Sequence, residues 1–186
     1  MQLTLANCLT LLRLCAIPVF LVFLVDGRYR TALAIFVAAG VTDALDGAIA
    51  RLTHTKTTLG SFLDPAADKL LLLSAFIALG FLAAIPRWLV VIVLSRDTIV
   101  VLGYFLLFVM TKRTMEVRPS LVGKLATFFQ LTTVSLALLS LVQGRPLWPV
   151  METSSAALAG LMTVGAGVQY VVRGLRWAQG SEDVPA

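Results

Sequence analysis

Six apolar stretches, each long enough to cross a lipid bilayer, follow one another along this chain of 186 residues. A membrane-spanning helix needs roughly 20 mostly apolar residues, because lipid cannot hydrogen-bond to an exposed backbone. The mean hydropathy of +0.92 and the 13% of charged residues are also outside the usual range of soluble domains. We therefore predict an all-α integral membrane bundle of six transmembrane helices, at about 5–25, 31–50, 61–84, 87–110, 121–143 and 154–173.

The segments between these stretches are short, so consecutive helices are expected to be antiparallel neighbours in one bundle. No internal repeat of the kind found in transporters built from two related halves is visible in the sequence. We therefore predict a single membrane domain over residues 1–179, followed by a short polar tail over residues 180–186.

The lysine and arginine residues indicate which ends of the helices face the cytoplasm, because cytoplasmic connections are enriched in them. Four basic residues fall on one side of the predicted bundle: Arg28, Arg30, Arg87 and Arg145. Nine fall on the other side: Arg13, Arg51, Lys56, Lys112, Arg113, Arg118, Lys124, Arg173 and Arg176. This bias predicts an inner-membrane protein with both termini in the cytoplasm. It also explains the isoelectric point of 9.7 without a nucleic-acid partner.

Four of the ten acidic residues lie close together, at Asp43, Asp46, Asp64 and Asp68. A carboxylate at membrane depth is costly unless it is paired or bound to a metal. On helices, the first two are three residues apart and the last two are four apart, so each pair shares one face. If the two helices pack antiparallel through the loop 52–59, all four carboxylates face one small volume on the cytoplasmic side.

Four convergent carboxylates repel one another and need a counter-charge. All-oxygen ligands favour a hard cation, so we predict one or two Mg²⁺ or Mn²⁺ ions at this place. Beside Arg51 and Lys56, such ions form a site for a phosphate or diphosphate group. Metal-assisted phosphoryl transfer is the chemistry that this arrangement favours.

The spacing of these residues resembles the signature of the CDP-alcohol phosphatidyltransferase family. The chain reads Asp43-x-x-Asp46-Gly47-x-x-Ala50-Arg51, then eight residues, then Gly60-x-x-x-Asp64-x-x-x-Asp68, which matches that signature at every fixed position. The chain length, the six predicted helices and the position of the motif across the second and third helices also resemble this family.

The resemblance implies a membrane enzyme, usually a homodimer, that moves a substituted phosphate from a CDP-linked donor to an acceptor hydroxyl and releases CMP. It implies that Asp43, Asp46, Asp64 and Asp68 surround the metal ions. It also implies that Asp68 is the general base, and the sequence does not separate that role from metal ligation. The residues implied to contact the CDP part of the donor are Gly47, Ala50, Arg51 and Gly60.

The N-terminal pattern Asn7-x-x-Thr10-x-x-Arg13 resembles the opening of the phosphatidylglycerophosphate synthases and cardiolipin synthases of this family. The same residues could simply form the polar seam of an interfacial first helix. The lead prediction is transfer from CDP-diacylglycerol to glycerol 3-phosphate. The alternative is phosphatidylglycerol as acceptor, because Arg96-Asp97 and the run Pro119-Ser120-x-x-Gly123-Lys124 also resemble cardiolipin synthases.

Several basic residues downstream of the motif are candidates for binding the acceptor. Arg96 lies too deep in an apolar helix to be a routine loop charge, and it is either part of an internal ion pair or a clamp on an anionic acceptor. The cytoplasmic cluster binds either lipid headgroups in general or a substrate phosphate. The candidate acceptor residues are Arg96, Lys112, Arg113, Arg118 and Lys124.

Two other classes of protein carry comparable carboxylates. A cation-coupled transporter would place them near mid-membrane between repeated halves, which this sequence lacks. An enzyme of isoprenoid diphosphates usually carries DDxxD or NDxxD, without the fixed glycine and Ala-Arg positions. Trp88, Trp148 and Trp177 fall near predicted helix ends, which is typical of interfacial anchors.

Overall fold

The computed structural model describes the backbone of residues 5–53, 58–111, 120–145 and 149–178. It describes the side chains of residues 11–42, 67–107, 109, 120–145 and 149–177. Within these ranges the chain forms helices and no strand, which confirms the all-α prediction. The helices are α1 (Leu5–Val25), α2 (Tyr29–Thr53), α3 (Thr58–Phe81), α4 (Arg87–Thr111), α5 (Leu121–Gln143) and α6 (Pro149–Ala178).

The helix boundaries follow the apolar stretches closely, with the largest differences at α6. This helix begins at Pro149 and ends at Ala178, whereas the sequence predicted 154–173. Proline is compatible with the first turn of a helix, because the N–H that it lacks has no intrahelical partner there. The last turns carry Arg173 and Arg176, which are favourable near a helix C-terminus but lower the hydropathy that guided the prediction.

Helices α1, α3 and α5 end in the same way, since each is followed within two residues by a residue with positive φ. These residues are Gly27 (φ 74°), Ala83 (φ 55°) and Gly144 (φ 68°). In each case the next N–H donates to the carbonyl five residues earlier, as in Ala84 to Leu79 at 2.9 Å. This arrangement satisfies carbonyl groups that the end of a helix leaves without partners.

The contacts divide the chain into two compact units, and the first comprises residues 1–84 and 134–147. In this unit α1 packs against both α2 and α3. The rings of Phe20 on α1 and Phe36 on α2 lie 5.9 Å apart. Phe76 of α3 is fully buried, as are Leu24 and Leu79. The first unit therefore has a core of large apolar side chains around α1.

The second unit comprises residues 85–133 and 148–186, and its main contact joins α4 to α6. Glycines at a spacing of seven lie along one stripe of α6. A Cβ atom on Gly160 would lie 2.6 Å from Cζ3 of Trp88, and one on Gly174 would lie 3.3 Å from Cδ1 of Leu107. Gly167, between them, faces the stem of Arg96. These glycines let α4 side chains pack directly against the α6 backbone.

A buried polar seam joins α5 to α6 within the second unit. Gln130 donates from Nε2 to Oγ1 of Thr163 at 2.9 Å, and Thr133 donates to Oγ of Ser155 at 3.3 Å. All four residues are buried. Interhelical hydrogen bonds of this kind fix the register of two helices where the surroundings are apolar.

Three helical segments are long and apolar enough to cross a membrane: Arg87–Leu107, Leu121–Gln143 and Pro149–Trp177. Shorter apolar segments occupy Leu11–Val25 and Tyr29–Thr42 among the described residues. The chain is accordingly a membrane protein. Six spans, cytoplasmic termini and a single domain over residues 1–179 stay predictions, and the tail 180–186 lies outside the described residues.

Candidate active site

The acidic motif lies on two helices, at the end of α2 and the start of α3. Asp43, Asp46, Gly47, Ala50 and Arg51 fall in α2; Gly60, Asp64 and Asp68 fall in α3. The helical backbone gives each set the spacing of a single face, as the sequence predicted. The side chains of residues 43–66 lie outside the described residues, so the convergence of the four carboxylates stays a prediction.

Asp68 is the member of the motif whose side chain the structure describes, and it pairs with Arg13. Nη1 of Arg13 donates to Oδ1 of Asp68 at 2.5 Å. The Arg13 side chain is 2% exposed, whereas that of Asp68 is 43% exposed. The pair therefore has a closed side, formed by the packed arginine, and an open side at the carboxylate.

The position of the pair follows from the packing of α1 against α3. Arg13 is eight residues from the start of α1 and Asp68 is ten from the start of α3. At 1.5 Å per residue, these positions lie about 12 Å and 15 Å along their helices. An arginine buried at such a depth needs a carboxylate partner, because an uncompensated buried charge is strongly destabilising.

Asp43, Asp46, Asp64 and Asp68 are a donor set suited to a divalent cation. Carboxylate oxygen is the ligand that Mg²⁺ and Mn²⁺ prefer. Among the side chains that the structure describes, no three histidine, cysteine, aspartate or glutamate residues form a cluster. Three of the four motif carboxylates lie outside that set, so the donor chemistry fits the ions while their geometry stays a prediction.

Arg96, in the second unit, lies in a polar cluster on α4. Its Nη1 donates to Oδ1 of Asp97 at 2.6 Å, which is the internal ion pair considered from the sequence. Its guanidinium carbon lies 5.3 Å from the ring centroid of Tyr170 on α6, within the range of a cation–π contact. The Arg96 side chain is 16% exposed, so this charge is largely enclosed.

Two glycines on neighbouring helices make room for Arg96. A Cβ atom on Gly167 would lie 3.3 Å from Cγ of Arg96, and one on Gly123 would lie 3.9 Å from its Nη2. Gly123 lies in the first turn of α5, where its N–H donates to Oγ of Ser120 at 3.0 Å. Ser120 thus caps α5 beside the Arg96 guanidinium.

The other candidate acceptor residues are described only in part. Lys124 is exposed in the first turn of α5. Lys112, Arg113 and Arg118 lie outside the described residues. The structure therefore brings Arg96 together with Ser120 and Gly123, and leaves the rest of the basic cluster as a prediction.

Sequence reasoning missed Tyr170 and Gly167 as neighbours of Arg96, and it did not pair Arg13 with Asp68. A signal for the glycines was present, since Gly160, Gly167 and Gly174 recur every seven residues in an apolar segment. For Arg13, the signal was a single basic residue deep in the first helix. Asp68 lies at a similar depth in the third helix, within one helical turn. Neither pattern identifies a partner until the helix packing is known.

Comparison with known proteins bears on the same residues. A sequence model described as CDP-alcohol phosphatidyltransferase matches residues 3–169. A Mycobacterium tuberculosis protein named "Probable phosphatidylglycerophosphate synthase" is 42% identical over 178 residues, covering 92% of this chain and 82% of that protein. A Streptomyces coelicolor protein named "Cardiolipin synthase (CMP-forming)" is 32% identical, covering 92% of this chain and 82% of that protein.

A Drosophila melanogaster protein named "Probable cardiolipin synthase (CMP-forming)" is 32% identical, covering 91% of this chain and 57% of that protein. The family match spans the eight signature positions on α2 and α3 as well as Arg13 and Arg96. The resemblance seen in the motif is thus confirmed, and the chain belongs to the CDP-alcohol phosphatidyltransferase family.

Proposed function

We propose that this protein transfers the phosphatidyl group of CDP-diacylglycerol to the hydroxyl of glycerol 3-phosphate and releases CMP. The observation that carries this proposal is the complete eight-position motif on α2 and α3. The 42% identity to a protein named for phosphatidylglycerophosphate synthesis favours glycerol 3-phosphate as the acceptor.

The donor and the ions are assigned to the motif. Asp43, Asp46, Asp64 and Asp68 hold one or two Mg²⁺ or Mn²⁺ ions, consistent with the general divalent-metal dependence of the family. When bound, the ions neutralise the diphosphate and the charge that develops on the departing CMP. The residues assigned to the CDP part of the donor are Gly47, Ala50, Arg51 and Gly60. The three small residues leave space for the nucleotide, and Arg51 supplies a positive charge to a phosphate.

Asp68 is assigned the proton transfer. The acceptor oxygen attacks the phosphorus that carries the diacylglycerol, the bond from that phosphorus to the CMP oxygen breaks, and the hydroxyl proton passes to the Asp68 carboxylate. A positioned base of this kind contributes roughly 10²- to 10⁴-fold to the rate. The partial exposure of Asp68 supports this role, because a base must be reachable by the acceptor.

The anionic end of the acceptor is assigned to basic residues of the second half of the chain. Arg96 presents an enclosed guanidinium beside the capped start of α5. Lys124 is exposed one residue after Gly123. A phosphate monoester is recognised well by several cations, because charge-assisted hydrogen bonds are about twice as strong as neutral ones. The full set is Arg96, Lys112, Arg113, Arg118 and Lys124.

Phosphatidylglycerol is the second candidate acceptor, which would make the protein a cardiolipin synthase. The sequence features that resemble cardiolipin synthases are Arg96-Asp97 and Ser120-x-x-Gly123, and these residues lie in one cluster. Two relatives that are 32% identical carry the name cardiolipin synthase. Both acceptors present a hydroxyl on a glycerol unit, so the same base and donor site would serve either.

We place the enzyme in the inner membrane as a six-span, single-domain homodimer whose active site opens to the cytoplasm. The bias of basic residues supports this orientation, and three segments that satisfy the length and hydropathy of a span support the membrane location. A cytoplasmic site gives access to the water-soluble products and substrates, CMP and glycerol 3-phosphate.

The experiment that tests this function measures CMP release by the purified protein in nanodiscs containing CDP-diacylglycerol. Mg²⁺ or Mn²⁺ is supplied with glycerol 3-phosphate in one reaction and phosphatidylglycerol in another, and EDTA is the metal-free control. Turnover with glycerol 3-phosphate alone is expected. Turnover with phosphatidylglycerol alone would make phosphatidylglycerol the acceptor in place of glycerol 3-phosphate. CMP release with either acceptor would rule out a transporter. Absence of CMP release with both acceptors would overturn the proposal.

A further inference from the structure

Arg13 occupies none of the eight positions of the acidic motif, yet it contacts the carboxylate assigned the proton transfer. Its Nη1 lies 2.5 Å from Oδ1 of Asp68, and the two residues come from different helices. The side chain of Arg13 is 2% exposed. Such an enclosed side chain offers little surface to a substrate, so its contact with Asp68 is a route by which it can affect the reaction.

We propose that Arg13 is a positioning residue that fixes the Asp68 carboxylate in the orientation needed to accept the acceptor's proton. This inference rests on the proposed function, because it assumes that Asp68 receives that proton. It also gives Arg13 a role other than membership of the polar seam of an interfacial first helix.

The physical basis is the difference in freedom between the two side chains. An aspartate at 43% exposure can rotate about two torsions, whereas a buried guanidinium is planar and is held by packing. A hydrogen bond from that rigid group to Oδ1 restricts the rotation of the carboxylate. A general base has to lie within about 2.6–3.2 Å of the atom that gives up its proton, so small rotations lower the rate.

The packing of the first unit supports a fixed orientation. Helix α1 packs against both α2 and α3, which are the two helices that carry the motif. Phe20, two turns after Arg13, is fully buried and contacts the ring of Phe36 on α2. Arg13 therefore lies on a helix that packs against both helices of the motif.

The test is a double-mutant cycle with Arg13→Met, Asp68→Asn and the double variant, assayed by CMP release. We expect Arg13→Met to lower kcat by about 10²-fold, with the KM for CDP-diacylglycerol changed by less than about threefold. If Arg13 acts through Asp68, the double variant will be no slower than Asp68→Asn alone, because the second substitution removes an effect that is already lost.

Arg87→Met is the matched control, since Arg87 is an exposed arginine at the start of α4. It is expected to keep the wild-type kcat. Arg13→Lys tests the planar geometry, because lysine keeps the charge but not the guanidinium; its kcat should fall by about tenfold at unchanged KM. If Arg13→Met does not fold, Arg13→Lys decides the question, and a wild-type kcat in that variant would overturn the proposal.

Other outcomes separate this inference from the proposed function. Multiplicative effects of the two single substitutions on kcat would overturn the positioning role while leaving the enzyme assignment intact. A raised KM at unchanged kcat in Arg13→Met would make Arg13 a donor-binding residue and would also overturn it. No CMP release by the wild-type protein with either acceptor would overturn the proposed function itself, and with it this inference.

Discussion

The proton-transfer role proposed for Asp68 places two opposing demands on this residue at membrane depth. A carboxylate there needs a positive partner, and a general base needs access to the acceptor. The structure satisfies both, because Arg13 contacts one oxygen from the buried side while 43% of the aspartate side chain stays exposed. Asp68 therefore combines a contact with a buried cation and a partly exposed carboxylate, which is the geometry that the proposed role requires.

Asp68→Asn tests the base directly. The amide keeps the size of the side chain but cannot accept the proton, so CMP release is expected to fall by about 10²- to 10⁴-fold. Binding of CDP-diacylglycerol, measured by isothermal titration in detergent, is expected to persist. Asp26→Asn is the control, since Asp26 is an exposed carboxylate in the turn after α1. Loss of donor binding in Asp68→Asn would make this residue primarily a metal ligand.

The sequence predicted the chemical identity of the motif residues but not their contacts. The spacing of Asp43, Asp46, Asp64 and Asp68 was sufficient to indicate a family, because a helix converts spacing into a face. Arg13, which contacts Asp68, is 55 residues away in the chain, and local periodicity carries no information about such a distance. Arg13 was counted in the topology signal and in the N-terminal pattern Asn7-x-x-Thr10-x-x-Arg13, and the structure places it in an ion pair.

At the scale of elements, α4 and α6 meet through glycines rather than through interlocking large side chains. Trp88 was expected to act as an interfacial anchor, and it is 48% exposed. The edge of its indole ring also fills the space above Gly160, where a Cβ atom would lie 2.6 Å from Cζ3. The exposed part of the ring is compatible with the anchor role, while the packed part fixes α4 against α6.

Gly160→Val is expected to destabilise this packing. The added side chain must displace the indole, and overpacking of this kind costs about 1–3 kcal/mol. Gly103→Val is the matched control, because a Cβ atom at Gly103 meets nothing within 4 Å. The midpoint of thermal unfolding in detergent should fall more for the first variant. Combining Gly160→Val with Trp88→Ala should recover part of the loss, and equal midpoints for both valine variants would contradict the contact.

The turn that follows α3 contains a position that glycine would suit better than alanine. Ala83 has φ 55°, a conformation that costs an L-residue about 1–2 kcal/mol. Ala83→Gly is therefore expected to raise the free energy of unfolding, by less than that cost because glycine also gives the unfolded chain more freedom. Ala78→Gly, inside the same helix, should lower it by about 0.5–1 kcal/mol. If both substitutions change the free energy of unfolding in the same direction, the result would contradict a left-handed backbone conformation at Ala83.

The elements themselves were predictable because hydropathy over 20 residues is a strong signal in lipid. The ends were less predictable, since α6 continues to Ala178 through a basic segment that hydropathy excludes. The hydrogen bond between Gln130 and Thr163 could not be predicted from the sequence either. Its residues are polar positions within apolar segments, and only the helix packing shows that they bond to each other.

At the scale of the whole molecule, the orientation in the membrane depends on the distribution of basic residues. Nine were counted on the predicted cytoplasmic side and four on the other. The pairing of Arg13 with Asp68 removes one from the set that can interact with the membrane surface. A bias of about two to one persists, which predicts the same orientation.

Reporter fusions test this orientation. Green fluorescent protein fused after Ala186 is expected to fluoresce, because it folds only if the C-terminus is cytoplasmic. Alkaline phosphatase fused after Gly27 or Gly144 is expected to be active, because these left-handed turns end α1 and α5 on the opposite side. Phosphatase fused after Thr53, at the end of α2, is the inactive control. The motif would then lie at the cytoplasmic ends of α2 and α3. An active phosphatase after Thr53 would reverse the orientation and put the carboxylates on the side without glycerol 3-phosphate.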